Sequence, residues 1–280
     1  LHAEDGIRDL ASSLVGSEMC IIDMIETPPD LQNIDEILQA TDAIMVARGD
    51  LGVELAPEEV PVVQLQLIDK ARRACRPVIV ATQVLESMIV IARPTRAEIS
   101  DISYAVTSGA DAMMLSAESS VGKYPIGSIK MMDRAIRYTE SYRWQQGVFG
   151  SFGLEIDETP PLDFGDAIAN ATSQLSNDLL VRAIVVVSRS GTSAVSVSAA
   201  RPSAPIIGIT DRKGVWCRMQ LMWGLLPCYI RNISVKNIHR LARQKALAYR
   251  LASRGDYILL VQGFHKNKLD NQPSVTVLQV

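Results

Sequence analysis

The most informative stretch of the chain is residues 43–54, which read AIMVARGDLGVE. Its apolar run over 43–46 gives way to Arg48, Gly49 and Asp50. A short apolar run that stops at a glycine and a charged residue is typical of a fully buried strand that leads into a functional loop. We therefore expect a buried strand here, followed by a loop that carries function.

The same pattern occurs at three more places in the first half of the chain. The apolar runs and the polar residues that follow them are 20–25 with Glu26, 77–81 with Thr82 and Gln83, and 112–115 with Ser116 and Glu118. Four buried strands of this kind are what a parallel α/β barrel needs, because the sites of that fold lie at the carboxyl ends of its strands.

Helical periodicity separates these strands. Apolar residues recur with a period of about 3.6 over 31–40 and 60–74, and helices are also predicted over 95–108 and 124–142. The result is four βα units, which predict a parallel sheet with right-handed crossovers. Four units do not close an eight-stranded barrel by themselves, so the pattern indicates either an open sheet or half of a barrel.

A change in composition predicts a second domain. Glycines, prolines and acidic residues without apolar periodicity indicate a linker over 146–165, between a first domain, 1–145, and a second domain, 166–280. The second domain again alternates helices and strands, which predicts an open α/β fold. Its predicted strands lie over 183–187, 205–209, 225–230, 257–261 and 275–280, and its helices over 166–179, 191–200, 215–223 and 235–253.

Charge and cysteine content narrow the class of protein. The chain has 28 Lys and Arg against 31 Asp and Glu, a formal net charge of −3, which argues against a nucleic-acid partner. It has no apolar run of about 18 residues, so we expect no membrane span. Cys20, Cys75, Cys217 and Cys228 show no CxxC spacing and predict reduced thiols of a cytoplasmic protein rather than disulfides or zinc ligands.

Glu26 and Asp50 follow consecutive predicted strands. Carboxylates at the ends of adjacent parallel strands can share one hard cation, and Mg²⁺ is bound by one or two carboxylates together with substrate oxygens. Gly49 would let a ligand carboxylate approach backbone N–H groups, and Thr82 would add a hydroxyl at the same edge. On spacing alone, the carboxylates could equally be helix caps or salt-bridge partners, and Thr82 could be a simple cap.

A second candidate site lies in the second domain, where residues 188–193 join a predicted strand to a predicted helix. This segment consists of Ser188, Arg189, Ser190, Gly191, Thr192 and Ser193. Hydroxyls, a glycine and free N–H groups at a helix start can form a phosphate-binding nest. Such segments are also ordinary helix N-caps, and the residues alone favour that interpretation.

Four longer segments resemble pyruvate kinase: MVARGDLGVE (45–54), PVIVATQVLESM (77–88), RPTRAE (93–98) and MLSAESSVGKYP (114–125). The resemblance implies the last four βα units of a TIM (β/α)8 barrel, followed by the regulatory α/β domain of that family. It implies phosphoryl transfer from phosphoenolpyruvate to ADP, giving pyruvate and ATP, with Mg²⁺ and usually K⁺ as cofactors. It also implies a homo-oligomer, a tetramer in the family, in the cytoplasm.

The resemblance also implies roles for individual residues. Glu26 and Asp50 match the family residues that hold Mg²⁺, and the backbone of Gly49 and Asp50 matches the segment that receives the substrate carboxylate. Thr82 matches the threonine beside the enolate carbon, which has a part in its protonation. Regulated members bind sugar-phosphate effectors at the segment that corresponds to 188–193.

Two departures from the family pattern argue against activity of this chain alone. The family has Lys-Ile-Glu where this chain has Met24, Ile25 and Glu26, so a lysine that stabilises the transferring phosphoryl group is missing. The family's first four barrel strands, lid domain, K⁺ ligands and most nucleotide contacts precede the residue that matches Leu1. Two alternatives stay open: a metal-dependent lyase or aldolase that acts on a pyruvate enolate, and a catalytically degenerate regulatory or binding subunit.

Overall fold

The computed structural model describes residues 20–146, 162–233, 237–263 and 272–280. The chain divides into two compact units, Leu1–Leu154 and Glu155–Val280, which we call the barrel unit and the C-terminal unit. The division falls within the predicted linker, although residues 147–161 lie outside the described part of the chain. Within that described part, no helix is long and apolar enough to cross a membrane.

The barrel unit contains the four predicted strands as one parallel sheet in the order β1-β2-β3-β4. Helices connect the strands and continue after the last one. The elements are β1 (Ile22–Ile25), α1 (Pro28–Gln32), α2 (Ile34–Ala40), β2 (Ala43–Ala47), α3 (Arg48–Glu54), α4 (Val60–Arg73), β3 (Val78–Ala81), a 3₁₀ turn (Glu86–Ile89), α5 (Arg96–Ser108), β4 (Ala112–Met114), α6 (Ala117–Ser120) and α7 (Pro125–Gln145).

The core of the barrel unit lies between the sheet and its helices. Alternate residues of the strands face the helices and are buried there with residues of α2 and α4. They are Ile25, Ile44, Val46, Val78 and Val80, packed with Ile34, Ile37, Leu67 and Ile68. The parallel pairing fixes the register, with Ile25 opposite Val46 and Val46 opposite Val80. This register brings the carboxyl ends of β1, β2 and β3 to one edge of the sheet.

The outer strands β1 and β4 are less buried than the apolar runs predict. Every residue of β3 is buried, whereas Met24 of β1 is 43% exposed and Met114 of β4 is 37% exposed. The reason is their position, because β1 and β4 are the outer strands of this sheet, and among the described residues each has a neighbouring strand on one side only. The prediction of four fully buried strands was therefore wrong for the two outer ones.

The C-terminal unit is the predicted α/β domain, built on a five-stranded sheet in the order β7-β6-β5-β8-β9. Buried residues on both faces of β5 and β6 pack against helices on either side, as expected for central parallel strands. The elements are α8 (Phe164–Asp178), β5 (Ala183–Val187), α9 (Thr192–Ala199), β6 (Ile206–Thr210), α10 (Lys213–Met219), β7 (Leu225–Tyr229), α11 (Ile238–Ala248), β8 (Tyr257–Gln262) and β9 (Ser274–Gln279).

Two local features differ from the sequence-based expectations, and a third was not predicted. Residues 48–54 form the short helix α3 rather than a loop. The helix predicted over 235–253 is seen as Ile238–Ala248: residues 234–236 lie outside the described ranges, and the left-handed Arg250, with a φ of 57°, follows its C-terminal end. Strand β9 runs antiparallel to β8, which strand periodicity alone does not reveal. The four cysteines are free thiols in this structure; Cys228 is buried and Cys217 is exposed.

Candidate active site

Helix α3 starts directly after β2, so Gly49 and Asp50 lie in its first turn. Backbone N–H groups in a first helical turn have no acceptor within the helix. The N–H of Gly49 instead donates to the Thr82 hydroxyl oxygen, with a nitrogen–oxygen distance of 2.7 Å. A Cβ atom at position 49 would lie 3.3 Å from that oxygen, a closer approach than most Cβ atoms make. The carboxyl ends of β2 and β3 are thus joined at the predicted site.

Thr82 and Gln83, which follow β3, have an unusual backbone. Their φ angles are 64° and 51°, in the left-handed region that a β-branched residue such as threonine rarely adopts. Conformations of this kind cost about 1–3 kcal/mol each and persist only where surrounding contacts hold them. The Thr82 hydroxyl also donates to the Ala81 carbonyl at 2.7 Å, so its oxygen is held from two sides.

Arg48 is the residue that holds this backbone, and the sequence alone did not assign it a role. Its Nη2 donates to the carbonyl oxygens of Thr82 at 2.9 Å and Gln83 at 3.1 Å. Its Nη1 forms an ion pair with Asp101 of α5 at 2.5 Å. Arg48 is only 7% exposed. An arginine at the end of a buried strand requires such partners, and that requirement was the available signal.

Glu26 lies at the end of β1, next to the strand that leads to Asp50. Its carboxylate is half-buried and that of Asp50 is exposed. Neither carboxylate has a hydrogen bond or ion pair to any other residue in the described ranges. Asp30 takes the capping role at this position, because its carboxylate accepts from the N–H groups of Glu26 and Thr27 and from the Thr27 hydroxyl. The cap and salt-bridge interpretations of Glu26 and Asp50 therefore lose support.

The donor set at this edge suits a hard divalent cation. Within the described residues, no group of three or more His, Cys, Asp or Glu residues could hold a metal. Mg²⁺ does not require one, since one or two carboxylates are commonly completed by water and substrate oxygens. Glu26 and Asp50 fit that pattern, because they lie at the carboxyl ends of neighbouring parallel strands and have no partner in the described ranges.

Met24 lies on the sheet face opposite the helix-packed core, beside Met45 of β2 in the register. Its apolar side chain cannot supply a positive charge. The neighbouring Asp23 has a raised pKa, because burial and the charge of Asp30 outweigh the hydrogen bond from the Met24 N–H. The end of β1 therefore carries acidic side chains, and Met24 stands where the resemblance implies a lysine.

Two glutamates fix the turn that follows Thr82 and Gln83. Glu118 is 3% exposed, and its two oxygens accept from the N–H groups of Leu85 and Ser116, each at 2.9 Å. Glu98 accepts from the N–H and hydroxyl groups of both Ser87 and Thr95. Burial raises the pKa of Glu98, but these hydrogen bonds outweigh it and hold that pKa below its usual value. Both glutamates therefore hold the loop that follows β3.

The segment 188–193 also forms a compact turn between β5 and α9. Gly191 has a φ of 90°, and its N–H donates to the Ser188 hydroxyl at 3.1 Å. The hydroxyls of Ser190 and Thr192 are hydrogen-bonded to each other at 3.0 Å. The Ser193 hydroxyl is buried and has no hydrogen-bond partner among the described residues.

Two cationic side chains lie at this turn. Arg218 of α10 donates to the Ser190 carbonyl at 3.1 Å, and Arg189 forms an ion pair with Asp211 at 3.3 Å. The turn thus combines hydroxyls, a helix start and nearby positive charge. Such a combination is compatible with a helix cap and with a phosphate site.

Two family models cover most of the chain. The model for the pyruvate kinase barrel domain matches residues 4–129, and the model for the pyruvate kinase alpha/beta domain matches residues 166–276. Together they include Glu26, Asp50 and Thr82, as well as the segment 188–193.

Curated relatives agree with the family models. A pyruvate kinase of Agrobacterium vitis is 41% identical over 261 residues, which are 92% of this chain and 54% of the relative. A second from the same organism is 37% identical over 276 residues, 98% of this chain and 56% of the relative. The pyruvate kinase of Thermotoga maritima is 37% identical over 266 residues, 95% of this chain and 55% of the relative. This chain spans about half the length of these relatives, and it belongs to the pyruvate kinase family.

Proposed function

We propose that the barrel unit carries the phosphoenolpyruvate- and Mg²⁺-binding part of a pyruvate kinase site, for phosphoryl transfer to ADP. The observation that carries this proposal is the pair of carboxylates, Glu26 and Asp50, which lie at the ends of adjacent strands and have no partner among the residues that the structure describes. The Gly49–Thr82 hydrogen bond lies at the same edge. When bound, Mg²⁺ would neutralise negative charge on the substrate oxygens.

In this proposal, the N–H groups of Gly49 and Asp50 bind the substrate carboxylate. Without substrate, the Gly49 N–H donates to the Thr82 hydroxyl. A substrate carboxylate must therefore compete with that hydroxyl for the N–H. That competition releases the hydroxyl beside the substrate, where Thr82 takes part in protonating the enolate carbon. K⁺ is a family cofactor, and we assign it no ligand in this chain.

Different observations bear on the two alternatives, the lyase or aldolase and the regulatory or binding subunit. Both family models are pyruvate kinase models, which favours this family over a metal-dependent lyase or aldolase. The regulatory or binding-subunit alternative is favoured by Met24, which leaves the site without its lysine. The homo-oligomeric state and the cytoplasmic location implied by the resemblance are further parts of the proposal.

Binding of Mn²⁺, a paramagnetic substitute for Mg²⁺, tests the metal site directly. We expect the 280-residue chain to bind Mn²⁺, as measured by enhanced water-proton relaxation, with Mg²⁺ as competitor. Asp50→Asn or Glu26→Gln should weaken this binding about tenfold or more, because each removes a charged ligand. Glu54→Gln is the matched control, since Glu54 is also exposed and lies on the same helix, α3. No binding, or equal losses in all three variants, would refute the metal site.

We further propose that residues 188–193 bind the phosphate of a phosphorylated effector. Two observations support this proposal: the buried hydroxyl of Ser193 has no hydrogen-bond partner within the described part of the chain, and Arg218 lies nearby. Phosphorus NMR of inorganic phosphate and of a hexose phosphate would measure binding to the 280-residue chain. Ser190→Ala should weaken it about tenfold, as expected for one hydrogen bond to a charged group. Ser253→Ala is the control, at an exposed position of the same unit. If both variants bind phosphate equally well, residues 188–193 are not the phosphate site.

A further inference from the structure

We propose that Arg48 is a positioning residue, which acts through the backbone of Thr82 and Gln83 to hold the Thr82 hydroxyl against the Gly49 N–H. This inference rests on the proposed function, because the Thr82 hydroxyl and the Gly49 N–H are the groups assigned there to substrate. It adds a residue that touches neither the substrate nor the metal.

The first step of the argument is the shape of the backbone after β3. Two consecutive non-glycine residues with φ angles of 64° and 51° do not hold that conformation by local preference. Both of their carbonyl oxygens point to one nitrogen, Nη2 of Arg48. The arginine therefore supplies the contact that makes this backbone conformation the stable one.

The second step is the chain of contacts on either side of Arg48. Its Nη1 is paired with Asp101 of α5, which compensates the buried charge and fixes the direction of the guanidinium group. Arg48 also immediately precedes Gly49 in the chain. One planar group thus connects the start of α3, the end of β3 and helix α5.

The third step is the choice of arginine. A guanidinium group carries several N–H donors in a rigid planar fork, so it can donate to the two carbonyls and to the Asp101 carboxylate at once. A lysine has the same charge, but its single ammonium on a flexible stem cannot keep this arrangement. Arg48→Lys therefore separates the positioning role from charge alone.

The test uses hydrogen exchange and chemical shifts of single residues in the 280-residue chain, measured by NMR. In Arg48→Lys, we expect the Gly49 amide to exchange about tenfold faster, the factor equivalent to one net hydrogen bond. The Cα and Cβ shifts of Thr82 should move from left-handed towards extended values. The Ile44 amide, which donates to the Pro77 carbonyl at 3.0 Å, should keep its exchange rate. Asp101→Asn, at a less buried position, should give the same pattern with a smaller change. It is the variant to measure if Arg48→Lys does not fold.

Arg76→Lys is the matched control, because Arg76 also donates to a backbone carbonyl, that of Leu38 at 2.9 Å, before β3 rather than after it. It should leave Gly49 and Thr82 unchanged. A parallel rise in exchange at Gly49 and Ile44 would show a purely structural role and overturn the proposal, as would an unchanged Gly49 in Arg48→Lys. Mn²⁺ binding is measured on the same samples. Its absence in the unsubstituted chain refutes the metal site, while the Gly49 result still decides the role of Arg48.

Discussion

Replacing Met24 with lysine should raise phosphoryl-transfer turnover about 10²–10⁴-fold once the barrel is complete. The test protein is a hybrid, in which the N-terminal half of an active pyruvate kinase precedes this 280-residue chain. The physical reason is that a preorganised positive charge beside a transferring phosphoryl group stabilises the transition state more than the ground state. Turnover is measured by coupling pyruvate formation to lactate dehydrogenase, with saturating phosphoenolpyruvate, ADP, Mg²⁺ and K⁺.

Met45→Lys is the matched control for this prediction. Met45 lies beside Met24 in the register of β1 and β2, so it places the same charge on the same face of the neighbouring strand. We expect no comparable gain from it. A folded hybrid in which Met24→Lys leaves turnover unchanged would show that position 24 is not on the phosphoryl path. That result would favour the regulatory or binding-subunit alternative.

The parallel sheet of the barrel unit was predictable from the sequence. Each apolar run of the barrel unit ends at a polar residue, and a parallel sheet brings such ends together. The sheet and the α/β fold confirm this prediction. The roles of Glu26, Gly49, Asp50 and Thr82 stay predictions, because the structure gives their positions and contacts but no ligand.

The contacts that shape the site were not predictable, because they join residues distant in sequence. Arg48 and Asp101 are 53 positions apart, and no local pattern links them. The left-handed backbone at Thr82 and Gln83 was also not predictable from the sequence, because neither residue favours it and tertiary contacts hold it there. The helical form of 48–54 was missed for a related reason, because two glycines in seven residues lower the helix propensity of that stretch.

Loss of the Asp50 carboxylate should have the second large effect on turnover. Unlike the Met24 substitution, it should impair both phosphoryl transfer and enolisation. In the Met24→Lys hybrid, Asp50→Ala should lower phosphoryl transfer about 10²–10³-fold or more, because the metal that neutralises the substrate oxygens is no longer held. Glu54→Ala on the same helix, at another exposed position, should leave turnover unchanged.

Exchange of the pyruvate methyl protons with solvent separates the two effects. This exchange requires enolisation, and therefore the metal and the Thr82 region, but no phosphoryl group moves. It is followed by proton NMR in D₂O with Mg²⁺. We expect Asp50→Ala to suppress the exchange as strongly as phosphoryl transfer, whereas the hybrid that keeps Met24 should exchange nearly as fast as the Met24→Lys hybrid. If Met24 suppresses both reactions equally, the lysine position acts on the enolate as well, and the separation of metal site and phosphoryl path at the ends of β1 and β2 is wrong.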